Sequence, residues 1–137
     1  MKRFHDAQAQ TFDSALAELR AGRKRGHWMW FVFPQVAGLG RSDMARRYAI
    51  ADAAEARAYL ADPVLHDRLE RAAAAMLLHR GRAAEDLLGG IDAMKLRSSM
   101  TLFDAVDPEG PWRAVLDAFY ESPCEATLKR LGADRPG

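Results

Sequence analysis

Lys95 stands four residues after Ile91 and seven before Leu102, a spacing that places all three, with Ser98, on one stripe of a helix. Leu96, Met100 and Phe103 form a second apolar surface of the same segment, and Ser99 lies at the edge of the first. An ammonium on an apolar stripe is costly to desolvate unless it is paired or faces a cavity, and such a lysine is suited to bind anions or to act in acid–base steps. Lys95 is therefore the first candidate for chemistry. Two ordinary alternatives stand beside it: the side chain snorkels to the surface, or it pairs with Asp92 for structural reasons. The readings differ in sign, because Lys95→Met relieves desolvation at a cavity but strands acceptors at a structural pair.

A second stretch runs from Gly26 to Ser42, where His27 and Gln35 bracket the apolar block Trp28-Met29-Trp30-Phe31-Val32-Phe33 and Gly38-Leu39-Gly40 turns into a helix capped by Ser42. The aromatics suit plain core packing. The turn suits an anion, since glycines expose backbone N–H groups, a helix N-terminus is positive, and Arg41, Arg46 and Arg47 follow within two turns. An ordinary tight loop with a solvated basic face fits the same residues. Taken together, the two stretches define one expected site for a phosphate-bearing, nucleotide-like small molecule. Lys95 and Arg41 neutralise it; Gln35, Ser98, Ser99 and Thr101, with the backbone of Gly38, Gly40 and Ser42, supply hydrogen bonds; Trp28 or Trp30 stacks on a ring. His27 is the candidate general base, because histidine changes charge near neutral pH. The rival, from another class, is a non-enzymatic protein–protein interaction module in which these residues only pack the core.

Other chemistries lack their signatures. Gly38-Leu39-Gly40 is followed by Arg41-Ser42-Asp43, without the third glycine of a dinucleotide fingerprint, and no Gly-Lys-Ser/Thr phosphate loop occurs. His5, His27, His66 and His79 show no metal-ligand spacing, and no serine sits in a Gly-x-Ser-x-Gly elbow. No metal or other cofactor is expected. Residues 1–47 carry nine Lys/Arg against four Asp/Glu, and residues 48–137 carry eleven against fifteen. That imbalance can hold a small anion but falls short of the domain-wide excess typical of nucleic-acid binding, which is not expected. Cys124 is the single cysteine and cannot bridge internally, and Met1-Lys2-Arg3 leads into Phe4-His5-Asp6 and not into an apolar stretch. The longest apolar runs, Trp28 to Phe33 and Ala72 to Leu78, are far below the roughly 20 residues of a membrane span. A cytoplasmic protein without a membrane partner is the expectation. No unclaimed apolar stripe demands a homodimer, so monomer and homodimer both stand.

The elements that must position these residues are helices. Alanine occurs 26 times and leucine 15, whereas Val, Ile and Thr together number ten, so local propensity favours helix almost throughout. The 137 residues read as an all-α, compact single-domain bundle of six to eight helices over residues 1–131, with a frayed tail over 132–137. Phe12, Leu16 and Leu19 mark a first helix from about Phe4 to Ala21, closed by Gly22. Asp52-Ala53-Ala54-Glu55 and Ser122-Pro123-Cys124-Glu125 read as capping boxes. Asp62-Pro63 opens what should be the longest regular helix, ending near His79-Arg80-Gly81. Leu87-Leu88 before Gly89-Gly90 closes a short helix, Asp92 can cap the next, and Asp107-Pro108-Glu109-Gly110-Pro111 separates that one from a helix over Trp112 to Tyr120. His27 to Phe33 looks like a buried strand but finds no partner run, so it reads as a buried helical segment. The expected core holds Trp28, Trp30, Phe31, Phe33, Leu69, Met76, Leu96, Met100 and Phe103.

The blocks from His27 to Gln35, Gly38 to Ser42, Glu55 to Leu60 and Asp92 to Phe103 resemble the signature blocks of the bacterial domain of unknown function 1810 family, often labelled calpastatin. The resemblance covers nearly the whole chain and implies a small, all-helical single domain; it brings no established activity and no catalytic residues. The calpastatin label conflicts with physics, because such inhibitory segments are disordered until bound whereas this chain has capped helices and ample apolar content. The order of aromatic block, acidic-alanine helix and lysine-bearing helix also faintly resembles helical N-glycosidases acting on ADP-ribose-type nucleotides, without a motif that transfers a residue.

Overall fold

The chain is described by a computed structural model over residues 1–133. Its helices are α1 (Lys2–Ala9), α2 (Phe12–Ala21), α3 (Met29–Val32), α4 (Asp43–Arg47), α5 (Ala53–Ala61), α6 (Pro63–Leu77), α7 (Ala84–Leu88), α8 (Gly90–Val106), α9 (Trp112–Phe119) and α10 (Glu125–Ala133). The expected all-helical class holds, but ten helical elements replace six to eight among the described residues. A break in the first helix adds one element, and α3 and α4, both read from the sequence as helical, are single short turns that count separately.

That break falls at Gln10-Thr11, and packing explains it. Gln8 is buried and donates from Nε2 to the Phe31 carbonyl at 2.6 Å and to the Tyr59 hydroxyl at 3.1 Å, which ties α1 to α3 and α5. Phe12, Leu16 and Leu19 instead bury their stripe on α6. One straight helix cannot serve both surfaces. Gly22 closes α2 as expected, with φ of 74° and its N–H returned to the Glu18 and Leu19 carbonyls.

Helix α8 is the centre, packed by α3, α5, α7, α9 and α10. Ala93, Leu96 and every residue from Ser98 to Asp104 are buried, so most of its circumference is covered, as its sequence predicts. It runs 17 residues against 15 for α6, which corrects the expectation that α6 is longest. Helix α6 stops at Leu77; Leu78 faces solvent, and the His79 ring turns back to bond the Leu19 and Arg20 carbonyls. Helix α8 in turn begins before Asp92, whose side chain is therefore inside the first turn and caps nothing.

The caps at Asp52 and Asp62 form as read: Asp52 accepts from Glu55 N–H at 2.9 Å, and Asp62 from Val64 and Leu65 N–H at 3.0 and 3.1 Å. The box at Ser122 does not form. Its hydroxyl and carbonyl both accept from Arg97, and α10 starts only at Glu125. Gly132 and Ala133, expected in a frayed tail, end α10; the remainder of that expected tail lies outside the described residues.

The aromatic block is helical, as read. Trp28, Met29, Phe31, Val32 and Phe33 are buried, with Leu69, Met76, Leu96, Met100 and Phe103. Trp30 is not, and is corrected to a half-buried side chain that faces outward from the single turn of α3. Beyond Pro34 the chain makes one parallel β-bridge, Val36 to Ile50, in which Gln35 and Ala37 exchange backbone hydrogen bonds with Ile50 at 2.8 Å each. No strand occurs among the described residues.

Candidate functional site

The loop between α2 and α3 is organised by one carboxylate. Glu18 Oε1 accepts from the backbone N–H of Arg25 and Gly26 and, at 3.1 Å, from the Trp28 indole. Burial pushes this carboxyl up, but the two backbone donors, the indole and the Lys24 ammonium outweigh it and hold Glu18 below its ordinary range. With Lys24 N–H also bonded to the Leu87 carbonyl at 3.0 Å, the loop is pinned against the end of α7.

Pinning the loop buries Lys24. Its side chain is only 8% exposed, and its Nζ reaches Asp92 Oδ2 at 2.7 Å, donates to the Gly26 carbonyl, and lies 5.2 Å from the Trp28 ring centre. Lys95 Nζ meets the other oxygen of the same carboxylate, Oδ1, at 3.1 Å and sits 4.4 Å from the Trp30 ring centre. Two ammonium groups therefore share the Asp92 carboxylate, and the Glu18 carboxylate, whose charge Lys24 also meets, stands behind the buried one. Helix α8 starts here at Gly90, after Gly89 at φ of 87° and with no side-chain cap, so its first amides add positive potential.

These groups line a cavity of about 380 Å³ with His27, Trp30 and Ile91. A second cavity of about 290 Å³ adjoins it and shares Lys95 and Ile91. Gln35, Leu39, Gly40, Met94, Ser98 and Cys124 complete most of its wall. The structure thus brings His27, Trp30, Gln35, Gly40, Ser98 and Lys95 around one double cavity. Other expected site residues lie elsewhere. Trp28 is buried with its N–H given to Glu18 and presents no face to a ligand. Thr101 is buried, donates to the Arg97 carbonyl and accepts from Cys124 N–H. Ser99 is fully buried and its hydroxyl has no partner.

The glycine turn is a wall and not a cradle. The Arg130 guanidinium lies over Gly38 so closely that a Cβ there would come within 2.5 Å of it, and its Nε donates to the Ala37 carbonyl at 3.1 Å. A Cβ on Gly40 would likewise come within 2.5 Å of the Ala45 side chain of α4. Ser42 spends its hydroxyl on the Ala45 amide at 3.1 Å, and Arg41 is exposed and lines neither cavity.

The pairing of Lys95 with Asp92, one of the alternatives the sequence offers, forms, whereas Lys24 escapes the sequence, because a loop has no periodicity to show which member of Arg23-Lys24-Arg25 turns inward. Among the described residues no cluster of three or more His, Cys, Asp or Glu can hold a metal ion, and no helix is long and apolar enough to cross a membrane.

No curated protein matches the chain. Among solved structures, the crystal structure of the conserved hypothetical protein Rv1873 from Mycobacterium tuberculosis is similar: 45% identical, with a TM-score of 0.92, over 96% of this chain and 95% of that one. A family profile described as "Protein of unknown function (DUF1810)" matches residues 1–131, and the chain therefore belongs to the DUF1810 family.

Proposed function

We propose that the double cavity binds a small anionic, phosphate-bearing and nucleotide-like molecule. One observation carries this reading: two ammonium groups on a single carboxylate, beside a half-buried tryptophan at the uncapped start of α8. The Lys95 ammonium, which shares its carboxylate with Lys24, and the first amides of α8 attract an anion, and Trp30 offers ring surface for a planar group. His27, lining the same cavity, is the candidate general base should the bound molecule be processed. Thermal denaturation against nucleotides, sugar phosphates and inorganic phosphate tests the reading. At a hundredfold excess over Kd a true ligand adds about 2.7 kcal/mol, and Lys95→Met abolishes that gain. A flat response across the panel overturns the proposal.

A second reading, the protein-interaction module, draws on Ile91 and Met94, which are 75% and 72% exposed at the rim of the cavities. It predicts no small-molecule response and a protein partner whose binding is lost on Met94→Asp.

A further inference from the structure

The two cavities differ in chemistry although they meet at Lys95. The first presents ammonium groups, helix amides and the Trp30 ring. The second is walled largely by Leu39, Ile91, Met94 and Ala126. Two of its polar members are already engaged: the Ser98 hydroxyl bonds Thr127 Oγ1 at 2.8 Å, and Cys124 N–H goes to Thr101. What remains for an incoming group is mostly apolar surface, with the Gln35 side chain and a thiol at the wall. Ile91 and Met94 stand one turn apart on a helix that otherwise buries its large apolar side chains, and leaving both in water forgoes the burial that holds the rest of α8 in place. The charge at the junction belongs to Lys95, so a molecule anchored there reaches both compartments at once.

From this we infer that the ligand of the anion site is a phosphate ester of two parts. The phosphate is held between Lys24, Lys95 and the start of α8, and its second substituent is an apolar arm that passes Lys95 and lies over Ile91 and Met94 toward Cys124. The inference rests on the anion-binding reading and narrows it, because a bare phosphomonoester fills the first compartment only. Specificity then comes from the arm, through area removed from water, while the phosphate supplies placement.

The test compares AMP with its n-hexyl phosphate ester on the wild-type chain by calorimetry, and follows alkylation of Cys124, the only cysteine, by iodoacetamide. The ester is expected to bind about tenfold tighter than AMP, the order of gain that covering the two rim side chains provides. At saturation the ester slows alkylation at least about fivefold and AMP does not, because only the arm reaches the wall that holds the thiol. Met94→Asp collapses the ester's advantage over AMP to about twofold or less, since the arm then meets a carboxylate. Equal affinities, or equal protection of Cys124 by both compounds, overturn the two-part ligand and leave the anion site standing. Failure of both compounds to bind, with a flat phosphate panel, overturns the anion site and this inference together.

Discussion

Asp92 accepts from two lysines that are not equivalent, and the difference sets what each replacement does. Lys24 is the more buried and makes three contacts, to Asp92, to the Gly26 carbonyl and over the Trp28 ring. Lys24→Met leaves acceptors unmet in a dry setting and is expected to cost about 2–3 kcal/mol, read from the denaturant midpoint. Lys95→Met leaves Asp92 with its 2.7 Å partner Lys24, so its cost stays within about 1 kcal/mol while ligand-induced stabilisation disappears. A loss above that from Lys95→Met would show that the ammonium serves the fold first and would remove the reason for placing an anion beside it. Ser99 is the opposite case, a fully buried hydroxyl with no partner in the middle of α8. Ser99→Ala removes an unmet group and improves helix propensity, and is expected to raise stability by about 1 kcal/mol in the same measurement. Lys95, His27 and Trp30, which line one cavity, can be picked from the sequence as candidates because candidacy depends on residue type. The burial of Lys24 is not legible there, because the fold of the loop around Glu18 decides it.

At the scale of the element, Asp62 does two things. Its carboxylate caps α6 through the Val64 and Leu65 amides and meets the His5 ring at 2.6 Å, and the hydrogen bond from His5, ahead of the cap amides, holds its pKa below the ordinary value of 3.8. A carboxyl lowered in the folded state stabilises fully above its unfolded pKa and loses that contribution as pH falls through the folded value. An acid titration of stability should therefore show a downward slope below about pH 3.8 that Asp62→Asn flattens. Asp62→Ala should cost about 1 kcal/mol near neutral pH, from loss of the cap. Caps of this kind are written locally, which is why the starts at Asp52 and Asp62 and the stops at Gly22 and Leu88 are readable from the chain. The break at Gln10-Thr11 and the diversion of Ser122 to Arg97 are not, since Phe31 and Tyr59 lie 23 and 51 positions from Gln8 and Arg97 lies 25 from Ser122, and only folding brings them near. The cap expected at Asp92 fails because α8 begins at Gly90, and of the two lysines on its carboxylate the sequence offers Lys95 but not Lys24, 68 positions upstream.

For the molecule as a whole, the fold class follows from composition, whereas the double cavity follows from where α3 and α8 meet. The blocks that carry its walls lie about sixty positions apart, and neither alone encloses anything. Helix α8, packed by five other helices, has a consequence for how the protein opens. No part of it can separate without dissolving the packing of most of the domain, so its amides should exchange with deuterium only through global unfolding. Helix α4, five residues with none buried, should exchange through local opening many times faster. Because the candidate anion site stands at the start of α8, a bound ligand should slow exchange by one common factor at every buried amide of that helix and leave α4 unchanged, as mass spectrometry of peptides can resolve. A slowing confined to the few residues that line the cavity would mean that α8 frays from its first turn. The centre of the molecule would then be an anvil with one loose end, and occupancy would be recorded locally and not by the whole domain.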